Sequence, residues 1–278
     1  MPSELIHKYM RIDHLPHIWC AGCGNGVLTR NVAVALDELF NDPASGMTRE
    51  KTVIVSGIGC SSRAAGYLDF DSIHTTHGRA IAFATGIKLA NPELTVVVLT
   101  GDGDCSAIGG NHLIHAARRN MDLTVVVFNN NIYGMTGGQY SPTTPKGDKA
   151  TTAPYGVIDR PFDIARLAAG AGASFTARGD TFHTAETIRQ IKKGIQHKGF
   201  SLVDCFSVCP TYYGRKNKKG DAVKMLQVQK DSGMLRAQYE ALPESEREGK
   251  YIVGTLTEND YPEFTAEYQK IIDSAMKN

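Results

Sequence analysis

Short runs of apolar, mostly β-branched residues recur along the chain, and each ends in glycine, aspartate or asparagine. Three such runs occupy residues 52–56, 95–100 and 123–128. Segments with the helical spacing of apolar residues lie before and between them. Uniformly apolar strands that alternate with helices are typical of a parallel sheet covered by helices on both faces. The sequence therefore predicts an α/β fold with a doubly wound, mostly parallel sheet.

The same pattern divides the chain into a main domain and an extension. Helices are predicted over 26–40, 79–89, 111–119, 162–169 and 184–195, and a further strand over 201–206. Residues 134–161 are rich in Gly, Pro, Thr and Ser, which indicates a long loop. The polar residues after 213 contain one predicted helix, around 222–242. We expect a main domain over 1–213 and a C-terminal extension over 214–278 that packs on the domain or on a partner subunit.

Composition excludes several classes of function. The formal net charge of the 278 residues is +1, so no overall field attracts nucleic acid or an anionic membrane surface. The longest apolar runs are too short to span a bilayer, and the N-terminal residues lack the pattern of a secretion signal. We therefore expect a cytoplasmic protein that binds neither nucleic acid nor membrane. In a reducing compartment, cysteines are more often thiols or metal ligands than disulfides.

Polar residues follow two of the predicted strands at the point where each strand ends. Gly101-Asp102-Gly103-Asp104 follows one strand, and Asn130 lies just after the next. The carboxyl ends of parallel strands form a ligand-binding crevice. Carboxylate and carbonyl oxygens are the ligands that Mg²⁺ prefers, and glycine lets the backbone approach a phosphate closely. Either motif alone is also typical of a turn, but the two together predict a magnesium and phosphate site.

Six cysteines are spread over the chain, at Cys20, Cys23, Cys60, Cys105, Cys205 and Cys209. The first two form a CxxC pair, whereas Cys60 and Cys209 are single residues that each follow a predicted strand. Buried apolar thiols, a zinc site, a redox pair and an iron–sulfur centre are all compatible with this pattern. The spacing shows only that four thiolates on loops can converge.

Six segments, in order along the chain, resemble the β subunit of the 2-oxoacid:ferredoxin oxidoreductases. They are WCAGCGNG, GIGCSSR, THGRAIAFATGIKLANP, GDGDCSAIGGNHLIHAARRN, FNNNIYGMTGGQYSPTTP and the CP pair that follows strand 201–206. The GDG and NN motifs within them are similar to the signature of thiamine diphosphate enzymes. The resemblance implies a thiamine diphosphate-binding domain. The GMTGGQ loop and GCSSRAAGY resemble most closely the subunits that act on 2-oxoglutarate.

The resemblance also implies which residues bind the cofactors. Asp102 and Asn130 are expected to ligate Mg²⁺ through their side chains, and Ile132 through its carbonyl oxygen. Contacts with thiamine diphosphate are expected from Gly59, Ser61, Ser62, His77, Gly101, Asp102, Gly103, Asp104, Asn130, Ile132, Gly134, Met135 and Thr136. One [4Fe–4S] cluster, which would accept the electrons released by decarboxylation, is expected on Cys20, Cys23, Cys60 and Cys209. Cys105 is not expected to be a ligand.

Two residues are candidates for catalytic roles. Arg63 follows the Cys60 loop, and a guanidinium binds a carboxylate well because it offers two parallel donors. We expect Arg63 to bind the distal carboxylate of 2-oxoglutarate. The resemblance places His77 near the cofactor, at the diphosphate.

The sequence lacks one residue that thiamine chemistry needs. A carboxylate, usually Glu, activates the aminopyrimidine, yet no Glu occurs between Glu93 and Glu186. The resemblance implies an α subunit that supplies the pyrimidine-binding domain and this Glu, in an αβ heterodimer or an (αβ)₂ assembly. The expected reaction is coenzyme A-dependent oxidative decarboxylation of a 2-oxoacid with electron transfer to ferredoxin, or its reductive reverse. We expect the chain alone to be inactive.

Other functions remain compatible with the sequence. The enzyme could prefer pyruvate or accept many 2-oxoacids. A non-oxidative thiamine decarboxylase subunit would need no cluster, and a zinc-stabilised binding module would need no thiamine.

Overall fold

The computed structural model describes residues 2–277 and contains one large sheet within them. Its strands are β1 (Thr52–Ser56), β2 (Asp71–His74), β3 (Thr95–Gly101), β4 (Leu123–Asn129), β7 (Phe175–Asp180), β8 (Phe200–Phe206), β9 (Gly233–Leu235) and β10 (Tyr251–Glu258), and a separate hairpin joins β5 (Ile132–Tyr133) to β6 (Gln139–Tyr140). The order across the sheet is β2-β1-β3-β4-β8-β7-β10-β9. All neighbours are parallel except β7 and β10. The predicted doubly wound, mostly parallel α/β fold is confirmed.

Helices cover both faces of this sheet. They are α1 (Pro2–Tyr9), α2 (Asn25–Phe40), α3 (Ala64–Tyr67), α4 (Ala80–Ala90), α5 (Gly110–Arg118), α6 (Ile164–Gly170), α7 (Thr184–Gln196), α8 (Ala222–Ser232), α9 (Arg236–Ala241) and α10 (Phe264–Ala275). Helices α2 and α7 pack on one face, and α4, α5 and α6 on the other. Within β3, Val97 and Leu99 join the first core, whereas Val96 and Val98 join the second. Because both sides of each central strand are buried, most of their residues are apolar.

The C-terminal segment differs from the sequence prediction in its one predicted helix, and it also contains β10 and α10, which were not predicted. The helix predicted over 222–242 is instead α8, the short strand β9 and then α9. The interruption begins at Gly233, where an added Cβ would lie 2.8 Å from Asp180 Oδ2 and 2.9 Å from His183 Cε1. Gly233 also starts the strand that pairs with Tyr251. The close packing and the strand pairing both favour extended backbone here over a continuous helix.

Strands β9 and β10 place part of the segment after residue 213 in the same sheet as the thiamine-type motifs. The division of the chain at residue 213 therefore stays a prediction, with two strands from the second part contributing to the sheet of the first. Within residues 2–277, no helix has the length and apolarity that crossing a bilayer requires.

Candidate active site

A cleft lies at the carboxyl ends of β1, β3 and β4, where ligands bind in open α/β sheets. Its walls are formed by Ile58, Gly59, Cys60, Ser61, His77, Gly101, Asp102, Gly103, Asp104, Phe128, Asn130, Ile132, Tyr133, Gly134, Met135 and Thr136. Every residue predicted to contact the cofactor lines this cleft except Ser62. The parallel register explains the convergence, since Gly101 at the end of β3 pairs with Phe128 near the end of β4.

Asp102 is buried at the base of the cleft, with only 2% of its surface exposed. Its Oδ2 accepts hydrogen bonds from Ser141 Oγ at 2.5 Å and Thr143 Oγ1 at 2.6 Å. Burial raises the pKa of this carboxyl, whereas the two hydroxyls and the backbone of Asn130 lower it. A divalent cation beside the carboxylate would offset the cost of burying its charge. The site therefore fits a hard cation.

Asn130 lies next to Asp102 in the cleft, just after β4, and its backbone interacts with the Asp102 carboxyl. Its Oδ1 accepts a hydrogen bond from the backbone amide of Ile132 at 3.3 Å. Between them, Asn131 adopts a left-handed backbone conformation with φ of 62°, and its carbonyl accepts from Thr144 Oγ1 at 2.6 Å. Asparagine tolerates this conformation better than most residues. The turn brings Asn130 and Ile132 to the same cleft as Asp102.

Asp104 ties together the loops around the cleft. Its Oδ1 accepts from the backbone amides of Gly78 at 2.7 Å and Ile58 at 3.3 Å, and its Oδ2 accepts from Thr100 Oγ1 at 2.8 Å. These donors belong to the segments that follow β1 and β2 and to β3 itself. Asp104 is itself 3% exposed. The sequence predicts Asp104 as a cofactor contact, and the structure gives it a second role in positioning these loops.

His77 reaches the cleft from the loop after β2. Its Nδ1 lies 2.5 Å from Asp104 Oδ1, at an angle that does not form a hydrogen bond. The ring packs edge-on against Tyr133, with the centroids 5.8 Å apart. Tyr133 donates to the carbonyl of Gly103 at 3.0 Å, and burial raises its pKa to about 12. This places a neutral phenol and an imidazole side by side at the cleft.

Sequence reasoning missed Tyr133 and the pair of hydroxyls on Asp102. Tyr133 lies between Ile132 and Gly134, which the family resemblance identifies. Its close packing against Gly103 is visible only in the structure, where a Cβ added to that glycine would come within 2.3 Å of the Tyr133 ring. Ser141 and Thr143 belong to the SPTTP end of the long loop. In the sequence their polarity indicates only a loop, whereas in the structure they donate to a buried carboxylate.

A second cavity, of about 180 Å³, adjoins the cleft and contains the four predicted cluster cysteines. Cys20, Cys23, Cys60 and Cys209 all line it, and it shares Cys60, Asn130, Gly134 and Met135 with the cleft. Several contacts bring these separate loops together. They include Trp19 Nε1 to the Cys60 carbonyl at 2.6 Å, the Gly24 amide to the Val208 carbonyl at 3.0 Å, and Ser207 Oγ to Asn25 Oδ1 at 3.2 Å.

Backbone amides point at three of these sulfurs. The amide of Asn25 interacts with Cys23, that of Met135 with Cys60, and those of Tyr212 and Tyr213 with Cys209. Burial nevertheless raises the pKa of Cys23 to about 12 and that of Cys60 to about 11, and the neighbouring cysteines add to both increases. Four thiolates in one cavity would therefore need a positively charged centre between them.

No set of three or more His, Cys, Asp or Glu side chains in residues 2–277 is arranged to hold a metal ion. The four thiols thus share the walls of one cavity without meeting at one point. Cys105 and Cys205 lie elsewhere and are both buried in the core.

Arg63 and Ser62 do not line the cleft. Ser62 is fully buried, and its hydroxyl has no hydrogen-bond partner among the described residues. Arg63 is half-buried, its guanidinium lies 5.8 Å from the ring centre of Tyr67, and its Nε is buried without a partner in residues 2–277.

Comparison with known proteins first defines the class. Residues 57–205, more than half of the chain, match the family described as "Thiamine pyrophosphate enzyme, C-terminal TPP binding domain". This match confirms a domain that binds thiamine diphosphate, and it begins and ends close to the strands that form the cleft.

More similar relatives define the family within that class. The "2-oxoglutarate synthase subunit KorB" of Methanocaldococcus jannaschii is 53% identical over 266 residues, which cover 96% of each chain. The "2-oxoacid:ferredoxin oxidoreductase subunit beta" of Saccharolobus solfataricus is 45% identical over 196 residues, or 70% of this chain and 62% of that one. The chain belongs to the family of 2-oxoacid:ferredoxin oxidoreductase β subunits and is most similar to the 2-oxoglutarate type.

A solved structure agrees with this family. A chain of "2-oxoglutarate:ferredoxin oxidoreductase from Magnetococcus marinus with 2-oxoglutarate, coenzyme A and succinyl-CoA bound" superimposes with a TM-score of 0.83 and 32% identity, covering 97% of this chain and 90% of that one. The fold is therefore shared over nearly the whole length, including the segment after residue 213.

Proposed function

We propose that this chain is the cofactor-binding β subunit of an enzyme that converts 2-oxoglutarate and coenzyme A to succinyl-CoA, passing electrons to ferredoxin, or that runs this reaction in reverse. The observation that carries the proposal is the adjacency of two cavities. One has a polar base that includes Asp102 and Asn130, the other has four cysteines, and Cys60 and Asn130 line both. Decarboxylation and electron removal would thus occur on neighbouring groups.

Thiamine diphosphate would occupy the cleft, where it supplies a carbon nucleophile and an electron sink for the 2-oxoacid. Asp102, Asn130 and the Ile132 carbonyl would hold Mg²⁺ against its diphosphate. The remaining predicted residues of the cleft would contact the cofactor, and His77 would lie at the diphosphate. Asp104 would keep the His77 and Ile58 loops in place, and these loops exclude water from one side of the cofactor.

The cysteine cavity would hold one [4Fe–4S] cluster. The four cysteine ligands of such a cluster surround an extended iron–sulfur core. Thiols that line one cavity without meeting at a point therefore fit a cluster better than they fit a single ion. Iron would compensate the raised pKa values of Cys23 and Cys60. The amides aimed at the sulfurs would stabilise the reduced cluster, since hydrogen bonds to sulfur raise its reduction potential.

An α subunit would complete the active site. The residues that line the cleft include no glutamate, so the carboxylate for the aminopyrimidine would come from that subunit, in an αβ heterodimer or (αβ)₂ assembly. Arg63, which follows the Cys60 loop but does not itself line the cleft, would bind the distal carboxylate of 2-oxoglutarate. A cytoplasmic location is consistent with the six cysteines, which are all free thiols.

The substrate is tested with the complete complex. The chain is co-expressed with the α subunit, and coenzyme A-dependent dye reduction is measured with 2-oxoglutarate, pyruvate and 2-oxoisovalerate. We expect kcat/KM for 2-oxoglutarate to exceed the others at least tenfold. Arg63→Gln should remove most of this preference by raising KM for 2-oxoglutarate alone. Equal rates with all three substrates would contradict the 2-oxoglutarate assignment.

The cluster is tested by composition. We expect about four iron and four sulfide per chain, bound to this subunit after it is separated anaerobically from its partner. Cys209→Ala should lose them, whereas Cys205→Ala, which removes a buried thiol outside the cavity, should keep them. Iron found only in the partner, or zinc in place of iron, would rule the cluster out.

A further inference from the structure

A third cavity, lined by polar residues, lies beside β7 and β10, away from the cofactor cleft. Its volume is about 380 Å³, within the range of small-molecule sites. It is enclosed by the start of α6, the face of β7 and β10, and helix α9. It shares no residue with the cleft or with the cysteine cavity.

The walls of this cavity carry an excess of positive charge. Four cations, Arg166, Arg178, Arg236 and Lys250, face one carboxylate, Asp163. The Arg166 side chain is exposed and has no ion-pair partner in residues 2–277. Neutral carbonyl oxygens hold two of the others in place.

The contacts with carbonyl oxygens fix the position of these cations without cancelling their charge. Lys250 Nζ donates to the Asp231 carbonyl at 2.6 Å. Arg236 donates to the carbonyls of Thr255 and Leu256, each at 2.8 Å, and it also forms an ion pair with Glu240 at 3.1 Å in which both side chains are about half exposed. Both cations are therefore oriented in advance, which lowers the entropy cost of binding an anion.

Arg178 forms the floor of the cavity and has a side chain that is 10% exposed. Its Nη2 donates to Asp163 Oδ1 at 2.7 Å, and its Nε has no hydrogen-bond partner among residues 2–277 and lies 3.7 Å from Asp204 Oδ2. An arginine placed on the sheet face of β7 costs desolvation energy that an apolar residue would avoid. Part of this cost is offset by the buried Asp204 carboxylate, whose pKa Arg178 lowers, and the rest of the guanidinium faces the cavity.

The aromatic residues indicate the size of the ligand. Tyr239 and Tyr251 stand beside the cations, and the Tyr251 ring is held edge-on to Phe206 with centroids 4.8 Å apart. A bare inorganic anion would leave these rings and most of the volume unused. Flat rings next to guanidinium groups suit an organic group that carries phosphate.

We propose that this cavity is a binding site for a phosphate-bearing organic anion of nucleotide size, separate from the cofactor and substrate sites. The guanidinium and ammonium groups contact the phosphates, and the tyrosines contact the organic part. The assignment uses none of the residues of the proposed reaction, so its test does not depend on whether that reaction is correct.

The test uses the αβ complex saturated with thiamine diphosphate, Mg²⁺ and coenzyme A, so that their own sites are filled. Binding of ADP, inorganic phosphate and adenosine is measured by isothermal titration calorimetry. We expect ADP to bind once per β subunit, at least tenfold more tightly than phosphate or adenosine. Arg166→Gln/Lys250→Gln should weaken ADP binding at least tenfold.

The matched control is Lys198→Gln/Lys270→Gln, which removes the same charge from exposed sites elsewhere and should leave ADP binding unchanged. Retained dye reduction and an unchanged melting temperature show that the cavity variant is folded. Absence of ADP binding, equal weakening by the control, or phosphate binding as tight as ADP would overturn the proposal.

Discussion

Single buried charges decide what the cleft can bind, and Asp102 is the clearest case. Its carboxylate is buried among hydroxyl donors, and burial raises its pKa. The hydrogen bonds to this carboxylate compensate only part of the cost of burying its charge, since its pKa stays raised. The hydroxyls fix the orientation of the carboxylate, and a cation would offset the cost of its burial.

We therefore expect Asp102→Asn to raise the Mg²⁺ and thiamine diphosphate concentrations needed for half-maximal activity at least tenfold. The amide keeps the shape but loses the charge that binds the metal. Titration of the apo complex with each cofactor, followed by dye reduction, measures the effect. Asp273→Asn, an exposed site on α10, is the control. An unchanged Mg²⁺ requirement would show that Asp102 is not a ligand.

Asp204 shows how a buried charge away from the cleft affects stability. Burial raises its pKa to about 6, and Arg178 only partly opposes this. Because the folded state binds the proton more tightly than the unfolded state, the group favours folding at low pH, and this stability is lost as pH rises through the folded pKa.

The Asp204→Asn variant has no ionisable carboxyl at this position, so it does not lose this stability as pH rises. The free energy of unfolding of the variant relative to wild type should therefore rise by about 1 kcal/mol between pH 5 and pH 7.5. Urea unfolding of the complex at both values measures the difference. A relative stability that is constant with pH, or that falls as pH rises, would contradict the raised pKa.

At the scale of elements, loops at strand ends have little room for change. Gly57 follows β1, and an added Cβ would lie 1.9 Å from Asp104 Oδ2. We expect Gly57→Ala to destabilise the complex by about 2 kcal/mol and to weaken thiamine diphosphate binding, since Asp104 must move. Gly66→Ala is the control, because a Cβ added to Gly66 would have no atom within 4 Å. Equal melting temperatures for Gly57→Ala and Gly66→Ala would show that close packing against Asp104 is not the reason for a glycine at position 57.

The elements that the sequence predicts well are those with uniform patterns. Strands β1, β3, β4 and β8 are mostly apolar, and the sequence locates each to within about one residue at its ends. Strand β7 was missed because Arg178 and Asp180 interrupt its apolar residues, yet both are buried in the structure. The partners of Arg178, Asp163 and Asp204, come from distant segments, whereas Asp180 caps the turn that follows the strand by accepting from the amides of Phe182 and His183. A local apolar pattern identifies neither residue as part of a buried strand.

The same reasoning explains which residues of the candidate site the sequence predicts. Asp102, Asn130 and the cysteines stand in motifs whose spacing is fixed along the chain, and their convergence follows from the parallel order of the strands. The donors on Asp102 and the loop contacts of Asp104 depend on where the long loop and the β2 loop fold back. Such contacts are set by tertiary packing, and the sequence alone does not specify them.

At the scale of the whole molecule, the long loop beside the cleft exposes apolar side chains. Tyr155 is 99% exposed and Ile158 is 84% exposed, and Tyr140 and Phe162 lie on the same loop. Several exposed large apolar side chains on a loop next to an incomplete active site are typical of a subunit interface. The α subunit would bury this loop and close the cleft in the same step.

Ile158→Asp tests this arrangement, because a carboxylate buried without a partner in an interface costs several kcal/mol. We expect the variant to lose the α subunit during co-purification and to lose dye reduction, while keeping its own iron and sulfide. Met276→Asp, at an 83% exposed site just after the last helix, should retain both the α subunit and activity. If Ile158→Asp co-purifies with full activity, the interface lies elsewhere. If it loses iron together with the α subunit, the cluster depends on the assembly rather than on this chain's four thiols, because a cavity built within one subunit should hold its metal without the other.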